Sequence, residues 1–513
     1  MRSLLRAVAA TICLSTGAVF GQDVTLTSID GGIELAGSLI AFDGEFYRVS
    51  SIYGPLTVSA EGVRCDGPGC PNLEAFVAEA RFTGAAVIAD RLLPELIETF
   101  ALDQGFDLSR RIDAEGVTTF TMARADGSVA ARFSVAPGTT DDAFLALLND
   151  ETDVALTLRE PLSLEERAVD AAGGQDLSQR ARVIALDALV AVTARSNPLS
   201  QIAPESLAAL FAGEITNWAD LGGPDAPIEL HFPAASSGLA QAFESRVLPD
   251  GGTLAAGITR HDDPRDLSDA VSRDPLALGV ATLSAVGNAR ALALAGPCGF
   301  AIEATPQTVK SEDYPLTAPL FVYTPNRRLP RLVREFLGFF ETGMAERVIR
   351  RTGFVSQAII RTPINAQGVR LANAIQAAGE ETDLADLQRL AALMTGTARL
   401  SPTIRFSDGS SSFDTPSLSA ISRLALAIED GEFDGRTLVF VGFSDAAGSA
   451  AANLNLSRNR ADSVRRAVMA AALAADLGAV SFRTAGFGEA LPIACDTDDW
   501  GAAINRRVEI WLE

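Results

Sequence analysis

Histidine is nearly absent: among 513 residues only His231 and His261 occur. Histidine-based metal sites, and Ser-His-Asp or Cys-His catalysis, therefore have little material to work with. No nucleophile–base pair can be assembled from the motifs. No enzymatic activity, catalytic residue, metal or cofactor is expected. Cysteine is also scarce, at five residues. Cys65 and Cys70, in RCDGPGC, lack partner ligands for zinc but can close a short loop as a disulfide in an oxidising compartment. Cys298 and Cys495 fall in different domains and are taken as buried free thiols, a mutual bridge being the alternative. Beyond the N-terminus no stretch is both long and free of charge. The run 276–302 is apolar but interrupted by Asn288, Arg290 and several glycines, so it reads as buried core and no transmembrane span is expected. Basic residues are outnumbered 65 to 42, and a net charge of −23 argues against nucleic acid or an anionic membrane surface as partner.

What is present begins with an export signal. Arg2 and Arg6 precede an apolar run from Ala7 to Phe20 and small residues around Gly21, which reads as a secretory signal peptide over 1–21. The length implies about three or four domains, and 48% hydrophobic content is ample for full cores. Residues 22–72 alternate short β-type runs with turns at Asp30-Gly31-Gly32, Asp43-Gly44 and Tyr53-Gly54-Pro55, a small curled sheet or barrel. Strands and helical stretches then alternate over 73–365, as in an α/β fold. The join at 366–400 shows two short amphipathic helices flanking Gly379-Glu380-Glu381, too apolar for a free linker and expected to dock on a neighbour. The last domain covers 401–513.

The C-terminal stretch is the most informative. Leu438 to Val441 is a short apolar strand, Asp445 lies just past it, and a helix begins near Ala450. Asn453, Ser457, Arg460 and Val464 recur at steps of four, three and four and share one helix face. A carboxylate at the helix mouth and a guanidinium two or three turns on suit a zwitterion, the one taking an ammonium and the other a carboxylate. The segment from Ile404 to Glu513 closely resembles the OmpA-like peptidoglycan-binding domain. That family carries an Asp after a strand, an N-x-x-L-S-x-x-R-A helix, a G-x-G-x-x-x-P turn and a closing N-R-R-V-E strand. Here these are Asp445; Asn453, Leu456, Ser457, Arg460 and Ala461; Gly486, Gly488 and Pro492; and Asn505 to Glu509, with Ser444 in place of the usual Thr. The resemblance implies peptidoglycan binding by Asp445, Asn453 and Arg460, with the diaminopimelate peptide as partner.

In the central domain three small-residue turns precede helices: Gly84-Ala85-Ala86, Gly138-Thr139-Thr140 and Ser236-Ser237-Gly238. Each delivers backbone N–H groups at a helix N-terminus, and three together could converge on one anion. The stretch from Asp187 through Asn197, Pro198, Phe211, Gly213, Ile215, Trp218, Leu221, Gly222 and Gly223 resembles the phosphate-binding branch of the type II periplasmic solute-binding proteins. The likeness covers roughly Phe82 to Ile360. It implies a two-lobed fold with a ligand cleft to which Ala85, Thr139, Thr140, Thr157, Ser236, Ser237 and Gly238 contribute. Phe211 and Trp218 read as packing. The family's R-x-x-x-S-G-T turn has lost its Arg and Thr, to Pro233 and Leu239, and Leu158 stands where relatives carry Asp or Ser. A desolvated dianion needs many donors and usually a fixed cation. Tight phosphate binding is therefore not expected, although Arg159 lies near the cleft in sequence.

The expected architecture is α/β: a two-lobed binding-protein-like domain, preceded by a small β module and followed by an α+β OmpA-like domain. The expected function is a periplasmic protein, held non-covalently on the cell wall, that presents a solute-binding-like domain. The alternative is the substrate-binding component of a transporter for phosphate or another small oxyanion.

Overall fold

The computed structural model describes residues 23–513 except 74, 172–176, 249–251, 378–381, 383, 407–411 and 497–498. The signal-peptide segment and the Gly379–Glu381 turn lie outside the described residues.

Five antiparallel strands, Val24–Ser28, Glu34–Phe42, Phe46–Ser51, Gly54–Ser59 and Val63–Asp66, form the N-terminal module in spatial order four, three, two, one, five. Val24, Leu26, Tyr47 and Val49 fill its small core. With so little apolar surface, the module gains from a staple, and Cys65 and Cys70 form a disulfide at its exit. It leans on the central domain through charge: Arg328 Nε lies 2.7 Å from Asp43, and Arg328 and Arg334 both reach Glu45.

The central domain is built on one long mixed sheet. Strands Ala78–Ala85, Val129–Gly138 and Val154–Thr157 pair in parallel in one lobe, and Glu229–Pro233 and Ala277–Thr282 in the other. Parallel strands covered by helices on both faces read as continuous apolar runs. Ala181–Thr193 joins the lobes. Its first half pairs with Thr317–Tyr323 (Ala181↔Tyr323 to Ala188↔Thr317), its second with Ala277–Thr282 (Leu189↔Thr282 to Thr193↔Leu278). Phe211 packs against Phe232 and Phe243, and Trp218 Nε1 donates to Leu276 O at 2.9 Å, so both are core residues.

The C-terminal sheet runs Arg361–Pro363, Ala398–Ile404, Arg507–Leu512, Thr437–Phe443, Ser481–Gly486. Alternation along Thr437–Phe443 splits its side chains between two cores. Leu438 and Phe440 face the helices Thr415–Glu429 and Ala450–Ala471, whereas Val439, Val441 and Phe443 meet Ala374, Leu387, Leu390 and Met394 of the two join helices. The join docks on this sheet as its second layer. Among the described residues no helix is long and apolar enough to cross a membrane.

Buried ions fix the two large domains against each other. Arg399 grips Asp313 of the central domain at 2.6 and 2.8 Å, and Arg405 holds Glu312 at 3.1 Å. Arg399 also lies 3.2 Å from Glu509, a fully buried carboxylate that Arg507 meets at 2.7 Å and Arg370 meets from the join. Burial works to raise the Glu509 carboxyl, but the guanidiniums of Arg370, Arg399 and Arg507 outweigh it and hold it well below the carboxylate range. The docking also corrects the free-thiol expectation for Cys298 and Cys495: they are bridged. The turn after Ala293–Ala295 and the loop before Asp496 meet only once the domains pack, a contact across 197 positions that local sequence does not carry.

Glu509→Gln should cost about 3–5 kcal/mol in denaturant unfolding, because three guanidiniums would then share a neutral amide. A carboxyl held low in the folded state contributes stability above its unfolded pKa that is lost as pH falls. The wild-type protein should therefore lose this increment on acidification below about pH 4.5, whereas Glu509→Gln should not. Equal acid limbs for the two proteins would refute the assignment.

Candidate functional site

The first site lies at the mouth of the helix Ala450–Ala471. This helix packs directly on the sheet, and the glycines permit it: a Cβ on Gly442 would sit 2.0 Å from Ser457 O. Ser457 Oγ donates to Leu454 O (2.9 Å) and accepts Gly488 N–H (3.0 Å), tying the helix to the next loop. Ser444 N donates to Gly488 O at 2.8 Å, so strand end, helix and loop converge on Asp445. Asn453 is buried against Gly448 and Gly488. Arg460 stacks its guanidinium 5.3 Å from the centre of Phe406. Burial lowers Arg460, Arg506 pushes the same way, and Asp445 opposes both. The three residues expected from the sequence are thus brought to one place.

Three features were missed. Asp445 already has a cation, Arg506 Nη1 at 2.8 Å, and Asp496 braces the neighbouring loop by accepting Ala446 N–H at 3.0 Å. Ser444 Oγ, Asn453 Nδ2 and Arg460 Nη1 are all buried without a hydrogen-bond partner among the described residues. Such groups cost about 1–3 kcal/mol each when left unmet; Ser444 adjoins Asp445 in the chain, Arg460 feels its charge, and Asn453 lies two turns before Arg460 on the same helix face. Arg506 stood in the N-R-R-V-E run, where its doubling with Arg507 was the available signal. The two arginines part ways in space, Arg507 running inward beneath Phe443 and to Leu491 O.

The second site is a cavity of about 420 Å³ between the central lobes. Ala85, Thr139, Thr140, Ser236, Ser237 and Gly238 all line it, so the three helix-entry turns converge as expected. Three of their hydroxyl oxygens already take part in local bonds, but only that of Thr139 gives up its proton. Thr139 Oγ1 donates to Asp142 (2.7 Å) and accepts its N–H (3.1 Å), Thr140 Oγ1 accepts Leu158 N–H (3.1 Å), and Ser237 Oγ accepts Leu239 N–H (3.3 Å). Thr157 corrects the sequence expectation: it is fully buried behind the wall and donates to Arg159 O at 3.0 Å. Strand alternation turns its side chain away from the cavity.

Arg159 is not a ligand cation either. It holds Gln241 at 2.9 Å, Glu165 at 2.8 and 2.9 Å, and Asp141, while Gln241 Nε2 donates to Asp141 at 2.8 Å. Asp141 stands on one lobe and Gln241 on the other, so this cluster clasps the lobes. A Cβ on Gly238 would come within 2.4 Å of Thr140 Oγ1, which shows how closely the helix ends abut. The charges that do line the cavity are Arg91, Asp90, Asp262 and Asp263. Arg91 lies 5.2 Å over Phe354, donates to Thr352 O at 3.4 Å, and has Nη1 unpartnered among the described residues. Sequence reading passed over it because it follows the turn by five positions. An apolar hollow of about 300 Å³ walled by Leu207, Leu248 and Leu294 offers no comparable convergence of polar groups.

Comparison with known proteins agrees with this division. Residues 115–342 match the PBP superfamily domain and residues 405–506 the OmpA family. Protein SphX of Synechococcus elongatus is 30% identical over 228 residues, 42% of this chain and 66% of its own length. The phosphate-binding protein PstS of Borreliella burgdorferi is 25% identical over 190 residues, 35% of this chain and 68% of its own. The chain thus spans about two thirds of the length of these relatives. Over 109 residues it is 31% identical to "Probable lipoprotein YiaD" of Escherichia coli, covering 21% of this chain and 47% of that one. An ABC-type phosphate transport receptor from Vibrio cholerae aligns in structure over 54% of this chain and 99% of its own, at 18% identity and a TM-score of 0.41. Both families are associated with the cell envelope. The chain carries a PBP superfamily domain followed by an OmpA family domain.

Proposed function

We propose that this chain is a non-enzymatic periplasmic protein that grips the diaminopimelate peptide of peptidoglycan through its OmpA domain and holds a solute-binding-like domain beside the wall. The observation that carries the reading is the set of buried, unpartnered polar atoms, Ser444 Oγ, Asn453 Nδ2 and Arg460 Nη1, on the strand end and helix that adjoin Asp445, whose charge acts on Arg460. An amino-acid end fits this set. Its ammonium lies against Asp445, sharing that carboxylate with Arg506, and its carboxylate accepts from Arg460 and Asn453. Desolvation within the pocket strengthens each of these contacts.

The lobe cavity supports a weaker role in phosphate capture than the PstS relatives' name would suggest. Its donors are backbone N–H groups at the helix ends, each worth about 0.3–1 kcal/mol to an anion when exposed, together with the O–H groups of Thr140, Ser236 and Ser237, while Thr139 spends its proton on Asp142. Arg91 is one cation beside three carboxylates, Asp90, Asp262 and Asp263, which repel a dianion. A transporter component that releases and recaptures phosphate would need a richer donor set.

Mature protein should co-sediment with diaminopimelate-type peptidoglycan. Asp445→Ala or Arg460→Ala should each remove most of that binding, a loss of roughly 2–5 kcal/mol, because each deletes one end of the clamp and strands the opposite charge. Sedimentation of both variants at the wild-type level would sink the reading.

Calorimetry with inorganic phosphate should give a dissociation constant above about 100 μM. Sub-micromolar binding would overturn the account of the cavity and make Arg91 the cation responsible.

A further inference from the structure

We infer that the Cys298–Cys495 bridge positions the wall site and makes its grip depend on redox state. This rests on the peptidoglycan reading of that site. Cys495 is covalently joined to the central domain through Cys298, whose N–H points at Cys495 Sγ at 3.2 Å. Gly296 leaves the room: a Cβ there would fall 2.4 Å from that sulfur. The next residue, Asp496, accepts Ala446 N–H at 3.0 Å and Asn505 Nδ2–H at 2.7 Å. Ala446 adjoins Asp445, and Asn505 adjoins Arg506, which pairs with Asp445 at 2.8 Å. Both members of the Asp445–Arg506 pair are therefore one residue from a group that Asp496 holds, and Asp496 is one residue from the bridge.

Asn505 supports the same loop, accepting Ile493 N–H (2.8 Å) and Ala494 N–H (3.1 Å) and donating to Ala494 O (2.8 Å). The apolar backing is slight: Ile493, Ala494 and Ile504, with Ile302 packed on them from the central domain. Loss of the bridge therefore loosens the loop locally. The domains stay docked, because Arg399–Asp313 and Arg405–Glu312 do not involve it.

The chemistry is thiol–disulfide exchange with a dithiol reductant, which supplies two electrons and two protons. Its first thiolate attacks the sulfur of Cys298, the more exposed of the pair, forming a mixed disulfide and releasing Cys495 as thiolate. Its second thiol then displaces Cys298. The protein is left with two thiols and the reductant with a disulfide.

The test uses full-length mature protein carrying Cys65→Ser and Cys70→Ser, so that dithiothreitol acts on the interdomain bridge alone. Calorimetry with a soluble diaminopimelate-containing muropeptide should show binding about 5- to 20-fold weaker after reduction, and amide exchange at Ala446 should accelerate. Cys298→Ser in the same background should reproduce both effects without reductant. Unchanged affinity and unchanged Ala446 exchange on reduction would overturn the inference. Should the muropeptide bind in neither state, the peptidoglycan reading falls, and the exchange measurement still decides: faster exchange upholds the coupling of bridge to loop, and unchanged exchange refutes it.

Discussion

A carboxylate with no exposure to water, Glu509, sets the arrangement of everything around it. It needs three guanidiniums, and they come from three places: Arg507 from its own strand, Arg399 from the adjacent strand and Arg370 from the join. Arg399 is shared further, reaching Asp313 in the central domain. Removing any one partner leaves charge buried and unmet, a penalty of several kcal/mol. Sheet, join and domain docking are therefore conditions on one another. Apolar replacement of such a cluster is often neutral for stability, so its distinctive effect here is geometric: it fixes how the two domains face each other.

That fixed relation bears on function. A loose chain between the domains would let the binding-protein-like domain sample many orientations relative to the OmpA domain. The ion cluster, the disulfide and the join helices instead make the Asp445 site and the lobe cavity parts of one body. Within the central domain the lobes are clasped by Arg159 with Asp141 and Gln241, and Thr140 abuts Gly238. Closure is supported by contacts that require no ligand. A ligand can shift an opening equilibrium only by its differential affinity for the two states, and a clasp of this kind leaves a small anion little to add.

Legibility in the sequence followed the range of the interaction. Asp445, Asn453 and Arg460 could be placed together because a strand end and a helical period of about 3.6 relate them over a few turns. Arg506 reaches Asp445 from 61 positions away, and Cys298 reaches Cys495 from 197; no local pattern carries such pairings. Glu509 was visible as a motif letter, but its role depends on Arg370 and Arg399, which nothing in the chain's periodicity links to it.

In the cleft six of the seven expected residues line the cavity and Thr157 does not, and the nearby cation, Arg159, is spent on the lobe clasp. A hydroxyl at a helix entry lends its oxygen to a backbone N–H and keeps its proton unless an acceptor lies near. Thr139 to Asp142 spells the capping-box pattern, a Thr followed three positions later by a carboxylate, and the structure shows both of its reciprocal bonds. Ser237 likewise spends its oxygen on the helix that follows. Of the turn hydroxyls only that of Thr139 gives up its proton, to Asp142, so the three turns keep backbone N–H groups and the O–H groups of Thr140, Ser236 and Ser237. At the C-terminal site Ser444 Oγ, Asn453 Nδ2 and Arg460 Nη1 are uncommitted among the described residues. Those three groups lie on the strand end and helix that adjoin Asp445, whereas among the described residues the lobe cavity offers Arg91 Nη1 as its one buried, unpartnered side-chain atom.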